Sequence, residues 1–109
     1  MSKTYVIDID GTICDWQAGR DYTLAEPFPK RIKEINKLYD KGNTIKYFTA
    51  RGMGRYAGRS DKAIESFYAI TESQLDRWGC KYHELILGKP AGDVYIDDKG
   101  IDANEFFKH

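Results

Sequence analysis

The chain has 109 residues, of which 41% are hydrophobic and 14% aromatic. This length suits one compact core and excludes two independent domains, and the composition excludes a disordered chain. Seventeen basic residues balance seventeen acidic ones, so the net charge gives no reason to expect a protein that wraps a polyanion, and we expect no nucleic-acid partner.

The sequence has no long apolar stretch, and residues Met1–Thr4 lead straight into a short apolar run without a secretory signal. We therefore expect no membrane partner and a cytoplasmic location. Cys14 and Cys80 are the only cysteines and lack metal-type spacing, so both are expected to be free thiols. A nucleophilic role for Cys14 stays a minor alternative, because no histidine lies near it in sequence.

Strand and helix patterns alternate along the chain. The predicted strands are rich in β-branched and aromatic residues and cover about Thr4–Asp8, Thr44–Thr49, Glu84–Leu87 and Asp93–Asp97. Apolar residues at helical spacing predict one helix over about Lys30–Asp40 and a second from Ser60 or Asp61 to about Trp78. Pro29 suits a helix start, and Gly42 and Gly79 suit the two helix ends.

Residues 13–29 have no regular period and contain Gly19, Pro27 and Pro29, so we interpret them as a flap. In the tail, Phe106 and Phe107 are expected to dock on the sheet. One face of the second helix is predicted to carry Ile64, Phe67, Tyr68, Thr71, Leu75 and Trp78 as core residues. The alternation predicts a single α/β domain over residues 1–109 with a mainly parallel sheet, in which ligands bind at the carboxyl ends of the strands.

Two aspartates follow the first strand. Asp8 and Asp10 stand in the run Asp8-Ile9-Asp10-Gly11-Thr12, directly after Tyr5-Val6-Ile7. Side chains alternate along a strand, so both carboxylates would lie on one side if the strand continued through them. Uncompensated carboxylates repel each other, and a hard divalent cation would relieve that repulsion. A simple Asp-Gly turn is the alternative.

Further polar residues follow the later strands: Thr49, Lys89, Asp97 and Asp98. Each has an ordinary explanation by itself, as a strand threonine, a solvated loop lysine or an acidic turn. As an ordered set at successive strand ends of one sheet, they can hold a phosphoryl group. Carboxylates bind a metal, a hydroxyl donates a hydrogen bond, and a lysine offsets negative charge.

These segments resemble the four motifs of the haloacid dehalogenase superfamily of phosphatases. The first motif is similar to Asp8-Ile9-Asp10-Gly11-Thr12 and the second to Phe48-Thr49-Ala50-Arg51-Gly52. The third is similar to Gly88-Lys89-Pro90 and the fourth to Ile96-Asp97-Asp98-Lys99-Gly100. The resemblance spans nearly the whole chain and implies a three-layer Rossmann-like core. The small size and these runs also look similar to short phosphatases of capsular polysaccharide biosynthesis.

The resemblance implies that Asp8 is the nucleophile and that Asp10 acts as general acid and then as base. It implies that Thr49 binds a phosphoryl oxygen and that Lys89 offsets the negative charge of nucleophile and phosphate. The implied Mg²⁺ ligands are Asp8, the main-chain carbonyl of Asp10, Asp97 and Asp98. The implied additional phosphate donors are the amides after Asp8 and those of Ala50 and Arg51.

Neither gap between the motifs has room for a cap domain, so we expect a capless enzyme with an open site. Such a site suits either a large phosphorylated substrate or a lid formed by a neighbouring subunit. The second possibility predicts a homo-oligomer. Arg51, Arg55 and Arg59 follow Thr49 and suit phosphate recognition, with a solvated basic loop as the alternative.

The leading hypothesis is a Mg²⁺-dependent phosphomonoesterase acting on a sugar phosphate or a related metabolite. A nucleotide or polynucleotide-end phosphatase is the second candidate. A receiver-like phospho-signalling module is a third, although its acceptor aspartate would close a middle strand and here Tyr47-Phe48-Thr49 closes it. A catalytically silent scaffold is disfavoured, because every chemically needed group is present.

Overall fold

The protein is described by a computed structural model, which covers residues 2–15, 22–49, 61–87, 94–96 and 106–107. The strands are β1 (Thr4–Asp8), β2 (Thr44–Thr49), β3 (Glu84–Leu87) and β4 (Val94–Ile96). The helices are α1 (Pro29–Asp40) and α2 (Asp61–Arg77), and a short 3₁₀ turn covers Tyr22–Leu24. The predicted strand and helix order is confirmed, and the described residues of β4 lie within the predicted Asp93–Asp97.

The four strands form one sheet in the order β3-β2-β1-β4, and all three neighbouring pairs are parallel. Parallel strands need a crossover between them, which explains why helices alternate with strands along the chain. The register pairs Asp8 at the end of β1 with Phe48 near the end of β2. The carboxyl ends of the two central strands therefore lie side by side.

The main buried cluster lies on one face of the sheet. Ile7 and Tyr47 are paired across β1 and β2, and Leu85 and Ile96 stand level with them on the outer strands. Paired residues point to the same face, and these four belong to the same buried cluster as Ile32 and Ile35 of α1 and Leu75 of α2. Both described helices thus pack on this face of a single Rossmann-like α/β domain without a cap. Val6 and Phe48 belong to the opposite face and are also buried.

The helix boundaries follow from local sequence. Pro29 is in the first turn of α1, where its missing N–H costs no hydrogen bond. Gly42 and Gly79 follow the two helices with φ angles of +94° and +75°, which side chains other than glycine rarely adopt. The predicted helix ends are confirmed for this reason.

The buried face of α2 differs in part from the predicted stripe. Tyr68 is exposed, and Gln74 is buried beside Thr71 and Leu75. The buried positions 74 and 75 follow Thr71 by three and four residues, partly buried Trp78 follows one turn later, and Tyr68 lies at the margin of that stripe. The predicted stripe did not include Gln74.

The C-terminal phenylalanines dock as predicted. Phe106 packs its ring edge-on against Tyr5 of β1, with centroids 6.4 Å apart. The guanidinium of Arg31, in the first turn of α1, lies 5.0 Å from the ring centroid of Phe107 and 5.3 Å from that of Phe28. These contacts are cation–π interactions and join the chain end to α1.

Among the described residues, neither α1 nor α2 is long and apolar enough to cross a lipid bilayer.

His83 extends the pairing of β2 beyond the start of β3. Its backbone N–H donates to the Ile45 carbonyl over 2.8 Å, and its Nδ1 accepts from the Ile45 N–H over 3.0 Å. The imidazole also stacks on Tyr39 with centroids 4.7 Å apart. The side chain therefore satisfies a backbone donor that the adjacent strand leaves unpaired.

We predict that His83→Ala lowers the free energy of unfolding by about 1–3 kcal/mol, because it leaves the Ile45 N–H without its acceptor. His83→Asn is the matched control, since Asn Oδ1 can stand where Nδ1 stood, and it should lose less. Urea unfolding monitored by circular dichroism measures both. Equal losses in the two variants would show that ring packing, not the hydrogen bond, is what matters.

Cys80 lies at the edge of the same core, next to Tyr47. Burial raises the pKa of the Cys80 thiol from its usual 9.0 to about 12, with Tyr47 acting in the opposite direction and Asp76 adding to the rise. Burial also raises the pKa of the Tyr47 hydroxyl well above its usual value. The Cys80 thiol is therefore protonated, and hence poorly reactive, at neutral pH.

We predict that stability falls as pH rises above about 9, because the unfolded chain then ionises a thiol that the folded chain keeps neutral until about pH 12. Cys80→Ser cannot ionise, so its unfolding midpoint in urea should fall less between about pH 8 and pH 10 than that of the wild type. Parallel declines in the two proteins would contradict a raised thiol pKa.

Candidate active site at the carboxyl ends of the central strands

The structure describes three of the predicted site residues, namely Asp8, Asp10 and Thr49. The others lie outside the described residues: Lys89, Asp97, Asp98, Ala50 and Arg51. The described part of the site is therefore the part that β1, β2 and the turn after β1 provide.

Asp8 is the last residue of β1 and is partly exposed. Its Oδ1 accepts a hydrogen bond of 2.9 Å from the Ile9 N–H, which also donates to the Phe48 carbonyl over 3.2 Å. The shared N–H ties the carboxylate to the sheet ladder at the point where the strand ends. This restricts the rotation of the Asp8 side chain.

Asp10 and Thr49 meet although 39 residues separate them. The Thr49 hydroxyl donates to Asp10 Oδ2 over 3.2 Å, and both side chains are buried, at 0% and 8% exposure for Thr49 and Asp10. The sequence predicted that both belong to one site, and the structure brings them together. It also gives the hydroxyl a carboxylate partner that the sequence did not predict.

The other oxygen of the same carboxylate faces Cys14. Cys14 Sγ lies 3.7 Å from Asp10 Oδ1 and 3.6 Å from the Ile9 carbonyl oxygen, and its side chain is fully buried. Sequence reasoning weighed Cys14 only as a nucleophile and missed this contact. The available signal for this contact was the spacing of four residues between Asp10 and Cys14 across the turn at Gly11. That spacing did not specify the direction of the thiol.

The turn between Asp10 and Cys14 is closed by backbone hydrogen bonds. Gly11 has a φ of +83° and its N–H donates to the Cys14 carbonyl over 2.9 Å. The Ile9 carbonyl accepts from the N–H groups of Thr12 and Ile13, over 3.1 and 3.0 Å. Gly11 is required here for its φ angle, because a Cβ atom would meet no neighbour within 4 Å.

These bonds bear on the expectation that amides after Asp8 add phosphate donors, which stays a prediction for the Asp10 amide. The amides that follow Asp8 were expected to bind phosphate, but those of Ile9, Gly11, Thr12 and Ile13 each donate to a main-chain carbonyl. A donor already engaged within a tight turn adds little to a ligand unless the turn opens. The amides of Ala50 and Arg51 lie outside the described residues.

The base of the predicted flap is an antiparallel stem. The Phe28 N–H donates to the Ile13 carbonyl over 2.7 Å, and the Asp15 N–H donates to the Glu26 carbonyl over 2.9 Å. Cys14 is bridged to Asp10 on one side and to Pro27 on the other. The stem therefore holds Cys14 directly against the turn that carries Asp10.

Arg31 ties this turn to α1. Its Nη1 donates to the Thr12 carbonyl over 3.0 Å, while its guanidinium lies against the Phe107 ring. The sequence carried no signal for this contact, because the two residues lie on different elements. Arg31 thus connects the site loop, the first helix and the chain end.

The metal ligands implied by the motifs are described only in part. The described residues contain no group of three or more His, Cys, Asp or Glu side chains arranged to hold a metal ion. Asp8 and the Asp10 carbonyl are oxygen donors at one strand end, which is the donor type that Mg²⁺ prefers. Asp97 and Asp98 follow β4, a neighbour of β1, and would complete an all-oxygen set.

Comparison with known proteins gives a relative of known structure. No protein-family model matches the chain, and no curated protein does. A crystal structure of an MCSG target from Vibrio cholerae is similar to it, with 30% sequence identity and a TM-score of 0.79. The similarity covers 98% of this chain and 89% of the Vibrio chain. The chain therefore belongs to the same family as this Vibrio cholerae protein.

Proposed function

We propose that the protein is a Mg²⁺-dependent phosphomonoesterase of the haloacid dehalogenase type, which acts through an aspartyl-phosphate on a sugar phosphate or a related metabolite. The observation that carries the proposal is the contact between Thr49 and Asp10, 39 residues apart, beside Asp8. It joins two of the four motif-like segments at adjacent strand ends. An isolated acidic turn would not require a buried hydroxyl from another strand.

The two aspartates differ in a way that suits two roles. Asp8 is partly exposed at the strand end, as a nucleophile must be to meet a substrate. Asp10 is buried, and its carboxylate faces a hydroxyl and a thiol. A hydroxyl both donates and accepts, so Thr49 can serve Asp10 as carboxylate or as carboxylic acid. That adaptability suits a residue that alternates between acid and base.

The proposed reaction has two steps. An Asp8 oxygen attacks phosphorus and forms the acyl phosphate while the bond to the leaving oxygen breaks, and Asp10 gives that oxygen its proton. Water then attacks phosphorus, Asp10 takes a proton from the water, and the bond to the Asp8 oxygen breaks. Inorganic phosphate leaves, and both aspartates return to their starting states.

A bound Mg²⁺ would supply positive charge that stabilises the transferring phosphoryl group. Asp8, the Asp10 carbonyl, Asp97 and Asp98 are the residues we propose to hold it. Lys89 is proposed to offset further negative charge, and the loop that begins at Ala50 and Arg51 is proposed to contact the substrate.

Two alternatives remain for the same residues. A nucleotide or polynucleotide-end phosphatase would use the same chemistry on a different substrate. A receiver-like module would keep its acyl phosphate for longer and would need an acceptor aspartate at a middle strand, where β2 here ends with buried Thr49. A phosphate-release screen of sugar phosphates, nucleotides and phosphorylated oligonucleotides, with and without Mg²⁺, separates these functions.

We predict that Asp8→Asn lowers phosphate release at least about a thousandfold, because an amide cannot act as the nucleophile. Release by the wild type should stop with a chelator and return with added Mg²⁺. Asp40→Asn is the control, since it removes a carboxylate that pairs with exposed Lys81. Sustained turnover by folded Asp8→Asn protein would refute the nucleophile assignment.

We predict that Thr49→Val lowers kcat by about 10- to 100-fold, because it removes one hydrogen bond to a charged group without changing the buried volume. Thr49→Ser keeps the hydroxyl and should retain most of the activity. Steady-state kinetics on one substrate compares the two variants. If serine and valine were equally impaired, the methyl group rather than the hydroxyl would be the required part.

A further inference from the structure

We propose that Cys14 is a positioning residue, which holds the Asp10 carboxyl group so that it can protonate the leaving oxygen. This inference rests on the proposed function and adds a residue to it. The thiol is fully buried and lies 3.7 Å from Asp10 Oδ1, within the distance at which sulfur hydrogen bonds form. Cys14 acts on Asp10 and does not touch the reacting phosphorus.

The thiol has one proton, and among the described residues hydrogen-bonding oxygens of Ile9 and Asp10 lie within its reach, so its role depends on which oxygen accepts that proton. The Ile9 carbonyl, 3.6 Å away, already accepts from the N–H groups of Thr12 and Ile13. A carbonyl oxygen has two lone pairs, and both are engaged. Once Asp10 has given up its proton, its carboxylate oxygen is also the stronger acceptor, because it carries charge. The proton of Cys14 is therefore directed to Asp10.

The consequence is that Asp10 is held at both oxygens. Thr49 donates to Oδ2 from β2, and Cys14 faces Oδ1 from the stem of the flap. Two contacts on opposite sides of one carboxyl group restrict its rotation about the Cβ–Cγ bond. A general acid must be within hydrogen-bond reach of the atom that it protonates, so a fixed orientation favours that step.

A packing role is the competing explanation, because cysteine is often a small buried hydrophobic residue. The two roles differ in how they depend on the leaving group. An alkoxide needs a proton as it departs, whereas 2,4-dinitrophenolate is stable as an anion and leaves without one. A variant that only misplaces Asp10 slows alkyl phosphates selectively, and a variant that loosens the site slows both substrates.

The test compares Cys14→Ala and Cys14→Ser with the wild type on an alkyl phosphate and on 2,4-dinitrophenyl phosphate. We expect Cys14→Ala to lower kcat/KM about tenfold for the alkyl phosphate and less than about twofold for the dinitrophenyl ester. Cys14→Ser keeps a donor and should restore the alkyl phosphate rate. Cys80→Ala is the matched control, since it removes a thiol away from Asp10.

An infrared measurement tests the contact without activity. In the Cys80→Ala protein the S–H stretching band comes from Cys14 alone. Adding Asp10→Ala should shift that band to higher frequency, because the thiol loses its acceptor on Asp10. This comparison also decides the matter if Cys14→Ala fails to fold.

Three results would overturn the inference: equal slowing of both substrates by Cys14→Ala, no recovery in Cys14→Ser, or an S–H band that Asp10→Ala leaves unchanged. Failure of the proposed function is recognised separately, because the wild type itself would then release no phosphate in the presence of Mg²⁺. That outcome would overturn both proposals.

Discussion

The parallel pairing of β1 with β2 holds the candidate site together. Its register runs from Thr4 opposite Thr44 to Asp8 opposite Phe48, and it places Thr49 next to the turn that carries Asp10. A slip of one residue would turn the Thr49 hydroxyl to the other face of the sheet. The register is held by apolar side chains on the core face, where Ile7 and Tyr47 are fully buried. Hydrophobic burial on that face thus sets the distance between two polar groups at the strand ends.

The turn after β1 converts a strand end into a defined arrangement of carboxylates. Gly11 allows the reversal, and the Ile9 carbonyl accepts the amides that close it. Arg31 then fixes the turn from outside through the Thr12 carbonyl, while its guanidinium lies against Phe107. The amides of Gly11, Thr12 and Ile13 are therefore satisfied within the turn. Such rigid support is what a positioned acid and nucleophile need.

The contrast between the two cysteines illustrates how environment decides the role of a side chain. Burial beside Tyr47 keeps the Cys80 thiol neutral, with a pKa of about 12, so it serves the core as a small apolar group. Cys14 is fully buried, whereas Cys80 is only partly buried, yet it is Cys14 that faces a carboxylate, from the stem of the flap. The same residue type therefore packs at the edge of the core in Cys80 and takes part in the polar cluster with Asp10 in Cys14. Neither assignment follows from the spacing of the two cysteines in the sequence.

Local sequence was enough to predict the strand and helix order, because that order depends on hydrophobic periodicity. It also predicted the helix ends at Gly42 and Gly79, which depend on backbone φ, and it placed the acidic pair at the end of β1, which depends on neighbouring residues. Three contacts emerged from the folded chain alone: Thr49 donates to Asp10, Cys14 faces the opposite oxygen, and Arg31 holds the turn. Folding also placed Gln74 inside and Tyr68 outside on α2. Each of these depends on strand register, side-chain rotamers or helix rotation, and those are set by packing between segments far apart in the chain, for which a single sequence carries no local signal.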